Sequence, residues 1–246
     1  MEKLFEVGGC VRDELLGVNT NDIDFTFVVD DTTKSIDEGW YHMVQYLKDE
    51  NFTIFLETKD CFTIRAKFPE GHQNEGLVAD FVMARKEVGY EEGTRKPTLE
   101  LGNLMDDLRR RDFTVNAMAK SLDDGRIIDP FNGKTHLSQK LLVTPLQPNK
   151  TFMDDPLRMI RALRFSITKG LTITPIVWDV IFTPDILDKL EVVVSQERIQ
   201  QEVTKMMKYN TLKTLRLFAK IDKIEPRLLK IIFKGDMWLM PSTKTT

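Results

Sequence analysis

Asp22 and Asp24 stand one residue apart at the mouth of an apolar, β-branched and aromatic stretch, Asp24-Phe25-Thr26-Phe27-Val28-Val29. On a strand of period two their side chains share one face. Two carboxylates so placed are hard oxygen ligands suited to magnesium. Just upstream, Gly8-Gly9-Cys10-Val11-Arg12-Asp13 supplies a glycine pair. Glycine lets the backbone come close to a ligand. The helix expected next offers unpaired N–H groups and a positive dipole end to a phosphate. A phosphate cradle beside paired carboxylates equips a magnesium-dependent nucleotide site. Alone, a Gly-Gly pair is commonly a turn, and Asp-x-Asp is common on solvated loops. The order of turn, helix and carboxylate strand is what carries the signal.

Three further segments hold chemistry. Asp80 sits inside Leu77-Val78-Ala79-Asp80-Phe81-Val82-Met83. A charge within such a strand is costly unless paired, solvated at an edge or bound to a cation. With Asp22 and Asp24 it makes three carboxylates, enough to hold two Mg²⁺ ions. Next, Arg109-Arg110-Arg111 runs straight into the apolar Phe113–Ala119. The end of that run is expected to be half-buried, and the guanidinium fork suits a triphosphate. Last comes Asp154-Asp155-Pro156-Leu157-Arg158-Met159-Ile160-Arg161-Ala162-Leu163-Arg164-Phe165. Either aspartate can cap a helix whose first position is Pro156. Arg158, Arg161 and Arg164 step by three, a slowly drifting ridge. Asp155 and the arginines can therefore share a face. A carboxylate accepts from an exocyclic amine, and a guanidinium donates to a ring acceptor. Cytosine and adenine present that pair; guanine and uracil present the reverse order. One Asp–Arg pair can thus accept CTP and ATP while refusing GTP and UTP.

The elements that must position these residues follow from pattern. Thr53–Glu57, Cys61–Phe68 and Leu77–Met83 read as strands, and Val44–Leu47 lies on a helix. Residues 69–76 form a hairpin-like connection, and the turn Asp129–Gly133 follows later. Arg85–Pro97, polar and containing Gly89 and Gly93, reads as a mobile loop. Pro145 and Pro148 bracket a boundary, after which the pattern turns helical: Asp154–Ile167, Pro175–Phe182, Ser195–Lys208 and Leu212–Ile221. Ser195 is a candidate helix cap. Asp236–Thr246 reads as a loose end.

The chain has 246 residues, 41% of them hydrophobic, enough for one large or two small domains with a buried core. Its apolar runs are far too short to span a bilayer, so no membrane association is expected. The charged N-terminus enters a strand pattern at once, which argues against a signal peptide. Cys10 and Cys61 have neither metal spacing nor a disulfide framework, as expected in a reducing cytoplasm. His42, His72 and His136 are scattered and suggest neither a metal site nor a catalytic base. The net charge of −3 is uneven. Residues 1–146 carry 18 Lys and Arg against 27 Asp and Glu, and residues 147–246 carry 17 against 11. The basic second part suits a phosphate backbone.

The ordered motifs Gly-Gly-x-Val-Arg-Asp, Asp-x-Asp, Arg-Arg-Asp-Phe-Thr-x-Asn-Ala and Asp-Asp-Pro-Leu-Arg-x-x-Arg-Ala-x-Arg-Phe, spread over residues 4–222, resemble the class II tRNA nucleotidyltransferase and bacterial poly(A) polymerase family of the DNA polymerase β superfamily. The resemblance implies an α+β fold: a head of mixed sheet and flanking helices over residues 1–146, then an all-helical neck over 147–222. Residues 223–246 match nothing in that pattern. It implies template-independent addition of CCA from CTP and ATP to the 3′ end of tRNA. By position, Asp22, Asp24 and Asp80 would be catalytic and hold two Mg²⁺. Gly8, Gly9, Arg12 and Arg111 would hold the triphosphate. Asp155 and Arg158 would read the base, supported by Arg161 and Arg164. Arg85–Pro97 would be the flexible loop tied to the switch from C to A. Asp154 replaces the family's usual glutamate, and little sequence follows the neck. A poly(A) polymerase ranks second, an enzyme adding only CC or only A third, and a non-catalytic RNA-binding protein fourth.

Overall fold

The computed structural model describes residues 2–20, 22–30, 35–90 and 97–234. The chain divides into two compact units, residues 1–138 and 139–246.

In the first unit the order is β1 (Glu2–Val7), α1 (Gly9–Leu15), β2 (Ile23–Val29), α2 (Ile36–Asp49), β3 (Thr53–Thr58), β4 (Thr63–Lys67), β5 (Val78–Met83), β6 (Arg85–Tyr90), β7 (Pro97–Leu101), α3 (Leu104–Arg109), β8 (Ala119–Ser121), β9 (Ile127–Ile128) and α4 (Gly133–Ser138). Seven strands form one mixed sheet in the order β3-β4-β5-β2-β1-β8-β9. Only β2 and β5 run parallel; the other neighbours are antiparallel.

Alternation sorts the sheet into two faces. Ile23, Phe25, Phe27 and Val29 of β2 join Ile64, Ala66, Ala79, Phe81 and Met83 in one apolar cluster. Helix α2 covers that cluster with Trp40, Met43 and Leu47, spaced for one helical stripe. Ser35 starts α2 with a full capping box to Glu38. The opposite face of β2 carries Asp24, Thr26 and Val28. There Val28, Phe5 and Val7 pack with Ala84, Leu108 and Ala119. So the period that buries the phenylalanines places the carboxylates on the other side.

Arg85–Pro97, expected as a loop, instead opens with strand β6, which pairs with β7 beginning at Pro97, Arg85 opposite Leu101 and Glu87 opposite Leu99. Their ladder is fixed by a partner, Leu99 to Leu101, that local composition does not reveal. Residues 91–96 of that segment lie outside the described residues.

The second unit contains β10 (Leu141–Leu142), α5 (Pro148–Asp154), α6 (Leu157–Thr168), β11 (Thr172–Ile173), α7 (Pro175–Ile181), α8 (Pro184–Val193), α9 (Gln196–Asp222) and α10 (Pro226–Ile232). Among the described residues its regular structure is helical apart from a two-residue parallel pairing of β10 with β11. Helix α6 buries Met159, Ile160, Leu163 and Phe165, while α9 buries Ile199, Val203 and Met206. The two segments expected at 195–208 and 212–221 join as α9 across a kink at Asn210, whose φ of −157° and ψ of 93° are not helical. The Asn210 carboxamide oxygen accepts from the Lys213 N–H at 2.9 Å and restarts the helix as a cap. Ser195 stands at the N-cap position of α9, but its side chain makes no capping hydrogen bond. The loose end expected at 236–246 lies outside the described residues.

Candidate active site

The sheet lines up three charged residues. Asp24 on β2 is the register partner of Asp80 on β5, and Asp80 is the partner of Arg65 on β4. Residues directly across a ladder share a face, so the three side chains form one row. Arg65 holds both Asp80 oxygens, Nε to Oδ1 at 2.7 Å and Nη2 to Oδ2 at 2.6 Å. Asp24 is half-buried, whereas Asp22, just before β2, is exposed. Burial raises the Asp24 carboxyl from 3.8 to about 6; the charges of Asp22 and Asp80 push the same way, against the pull of Arg111 and Arg65. Mutually repelling carboxylates are a standing demand for positive charge.

Beside that row lies a buried polar network centred on Asp107. Asp107 is completely buried. Its Oδ2 accepts from Thr26 Oγ1 at 2.9 Å and from Arg111 Nη2 at 2.9 Å. Its Oδ1 accepts from Arg110 Nη2 at 2.5 Å. Burial alone would raise the Asp107 carboxyl, but the Arg110 and Arg111 charges and the hydrogen bonds hold it well below its ordinary value. Asn103 and Asp106 form a capping box that starts α3 and so aims Asp107 inward. Arg111, with only 19% of its side chain exposed, is thereby fixed against Gly8.

Gly8 is what admits it. Its φ is +80°, and a Cβ there would meet Arg111 Nη1 at 2.7 Å. Gly8 donates its N–H to the Met118 carbonyl at 3.3 Å and leads into α1. Gly8→Ala is expected to lose about 1–3 kcal/mol of stability through backbone strain. It should also push the guanidinium aside and, on the role in triphosphate binding expected of Arg111, raise KM for the nucleotide. Urea unfolding and steady-state kinetics check both; a variant with wild-type KM would remove Arg111 from triphosphate binding. Arg12 is buried beside Gly9. It donates to Asn116 Oδ1 at 2.5 Å and, by Nε and Nη2, to Asp13 at 2.9 Å each. Asn116 donates onward to Asp112 at 2.9 Å. Arg12 and Asn116 therefore tie α1 to the segment following α3.

In the second unit Asp155 Oδ1 accepts from the Leu157 N–H at 3.1 Å and caps α6, while Asp154 pairs with Lys150 at 3.2 Å. The other Asp155 oxygen lies 3.5 Å from Arg198 Nη2. Arg158 Nη1 donates to the Thr151 carbonyl at 3.2 Å. Arg161 and Arg164 converge on buried Glu202, Arg161 at 3.9 Å and Arg164 by a direct hydrogen bond, and Arg164 also stacks 4.2 Å from the Phe165 ring. The ridge thus splits: Asp155 and Arg158 stand at the start of α6, and Arg161 and Arg164 are anchored on α9.

Arg65, Thr26, Asp107, Arg198 and Glu202 escaped the sequence reading. Arg65 and Glu202 come from strand and helix partners distant in sequence. For Asp107 a signal existed: an aspartate four residues before an arginine on a helix, at the edge of an apolar run. For magnesium, the hard oxygens and electrostatic demand of Asp22 and Asp24 fit a divalent cation. Both Asp80 oxygens are engaged by Arg65, with lone pairs left over, and among the described residues no three Asp, Glu, His or Cys side chains already stand as a metal-holding cluster.

Sheet, glycine turn and helical second unit together give the fold of a nucleotidyltransferase head followed by a helical part. A family model described as the poly A polymerase head domain matches residues 4–143. The tRNA nucleotidyltransferase cca2 of Schizosaccharomyces pombe is 32% identical over 209 residues, covering 82% of this chain and 42% of that protein. Among solved structures, the Bacillus stearothermophilus CCA-adding enzyme in complex with CTP superposes with a TM-score of 0.70 at 25% identity, covering 89% of this chain and 48% of that one. The Thermotoga maritima CCA-adding enzyme complexed with tRNA gives a TM-score of 0.70 at 25% identity, with 98% and 50% covered. The chain belongs to the class II tRNA nucleotidyltransferase and poly(A) polymerase family. It spans 35% to 42% of the length of the curated relatives it matches first.

Proposed function

We propose that this chain carries the catalytic head and base-reading neck of a template-independent nucleotidyltransferase that adds C, C and A from CTP and ATP to the 3′ end of tRNA. The observation that carries the reading is Arg111, clamped by Asp107 and Thr26 over the glycine turn and electrostatically coupled to Asp24. Relatives named for CCA addition support it. Residues 1–146 act as the head and 147–222 as the neck.

Asp22 and Asp24 would hold Mg²⁺, with Asp80, paired with Arg65, as a third ligand. Bound magnesium supplies Lewis-acid chemistry, acidifying the attacking 3′-hydroxyl and shielding phosphate charge. Arg111 offers a rigid fork of donors to the triphosphate, and its position needs no reorganisation as charge builds on the leaving pyrophosphate. Gly8 and Gly9 let the phosphates approach the backbone. Arg12 holds α1 and the glycine turn in place through Asp13 and Asn116. Asp155 accepts from the exocyclic amine of cytosine or adenine while Arg158 donates to the adjacent ring acceptor. Arg158→Ala is expected to reduce discrimination against GTP and UTP by about 10–100-fold. Single-turnover incorporation of each nucleotide measures this; unchanged rejection of GTP and UTP would refute the role.

The overall test is extension of labelled tRNA lacking its 3′ CCA, with Mg²⁺ and CTP, ATP or both. A stop after C, C and A supports the reading. The family model's own description favours a second reading, poly(A) synthesis, and a long ladder with ATP alone would select it. No incorporation on any RNA end would leave a binding protein.

A further inference from the structure

An open cavity of about 400 Å³ in the second unit is lined by Ser166, Leu171, Ile173, Trp178, Leu217 and Lys220. Its size falls in the range of small-ligand pockets, about 300–1,000 Å³. Trp178 is its aromatic wall, set by an edge-on contact with Phe182 at 5.1 Å between ring centroids. The Lys220 ammonium lies 4.7 Å from the Trp178 ring centroid. Lys213 Nζ donates to the carbonyl of Ser166, one of the lining residues, at 3.1 Å. Asp179 also lines the cavity. Beyond the kink at Asn210, exposed Arg216 on α9 and Lys223 at its C-cap add further positive charge. Ser166 lies eleven residues after Asp155, near the far end of α6, so the cavity is separated from the base-reading pair by about 15 Å of helix.

A flat apolar wall, a movable cation over it and further cations nearby are what an unpaired nucleotide of an RNA strand requires. We propose that this cavity is a second nucleotide subsite, which takes one unpaired base of the acceptor RNA. The base lies on the Trp178 indole, against Leu171, Ile173 and Leu217. Lys220 turns off the ring and, with Lys213, meets the flanking phosphates. Asp179 offers an acceptor to an exocyclic amine. The subsite rests on the reading that the chain works on RNA, and it concerns the strand rather than the incoming nucleotide.

The test is fluorescence anisotropy of a labelled single-stranded oligoribonucleotide with the wild-type chain and with Trp178→Leu, Trp178→Phe and Lys220→Glu. Loss of one stacked base corresponds to about 5–150-fold weaker binding for Trp178→Leu, with partial recovery in Trp178→Phe. Lys220→Glu, an exposed change, should weaken binding and flatten its salt dependence by about one phosphate contact. Wild-type tryptophan fluorescence should change on adding the oligonucleotide, and that change should vanish in Trp178→Phe. Should Trp178→Leu fail to fold, the Lys220→Glu and fluorescence results still decide. Wild-type affinity in Lys220→Glu together with no Trp178 signal would overturn the subsite, as would competition by free CTP or ATP alone at this cavity. CCA extension is scored separately: a wild-type chain that extends tRNA but shows no Trp178 effect loses only the subsite. One that binds through Trp178 without extending RNA loses only the catalytic reading.

Discussion

Asp24→Asn is expected to lower nucleotide incorporation by about 10³-fold or more while leaving the chain folded, because several kcal/mol of transition-state stabilisation would be routed through that carboxylate. The same variant should be more stable than wild type at alkaline pH. Asp24 titrates at about 6 instead of 3.8, chiefly because it is buried and secondarily because Asp22 and Asp80 repel it. A carboxyl raised in the folded state binds its proton more tightly there than in the unfolded chain. Its ionisation is therefore a liability that is absent below the ordinary value, grows as pH rises through about 6 and is complete above it. Asparagine removes the liability. Near pH 4 the two proteins should unfold alike; near pH 8, without divalent cation, the variant should gain on the order of 1–2 kcal/mol, the full shift being discounted for partial solvent screening. Mg²⁺ should then raise the stability of wild type but not of the variant, since a ligand that prefers the native state stabilises it. Urea unfolding at both pH values, with and without Mg²⁺, measures each term. Near-normal activity, or a variant less stable than wild type at pH 8, would remove Asp24 from the centre of the site.

What the sequence could show about this chain depended on how local the determinants were. Strands β2 and β5 were legible because alternation and β-branched residues are properties of a few consecutive positions. The α+β head and the helical second part were legible as well, through ordered motifs. The pairing of β6 with β7 was not, since its ladder is completed by Leu99 and Leu101 across a polar segment. Helix α8 began at Pro184 with Asp185 in its first turn, a start signal that its short apolar stripe of Ile186, Leu187 and Leu190 left unemphasised. At the site, the residues with recognisable motifs were legible, but their partners were not. Arg65 pairs with Asp80 fifteen positions away, Thr26 with Asp107 eighty-one away, and Arg164 with Glu202 thirty-eight away. These contacts depend on strand order and helix packing, which no local window encodes. The motif arginines all take part in such contacts: Arg12 with Asp13 and Asn116, Arg111 with Asp107 and Thr26, and Arg164 with Glu202.

Asp107→Ala should have the largest effect on stability. The carboxylate is completely buried and is shared by Arg110, Arg111 and Thr26. Removing it takes away a counter-charge shared by two guanidinium groups, 25% and 19% exposed. Breaking a buried pair from one side typically costs about 3–5 kcal/mol. Asp107→Asn keeps an acceptor for Thr26 but not the charge, so a smaller loss is expected and the chain should remain folded. The pH dependence has the opposite sign to that of Asp24. A carboxyl held below its ordinary value contributes stability that is fully present above that value and disappears as pH falls through the folded one. The wild-type advantage over Asp107→Asn should therefore hold from neutral pH down to about 4 and shrink only in stronger acid. Arg111 also loses the contact that holds it over Gly8, so KM for CTP and ATP should rise together with no change in the preference between them. That pairing separates a positioning role from general loosening, which would also disturb the base choice proposed for Asp155 and Arg158. An Asp107→Asn chain with wild-type stability and wild-type KM would mean that Arg111 is held by something other than this carboxylate, and the clamp at the glycine turn would have to be sought elsewhere.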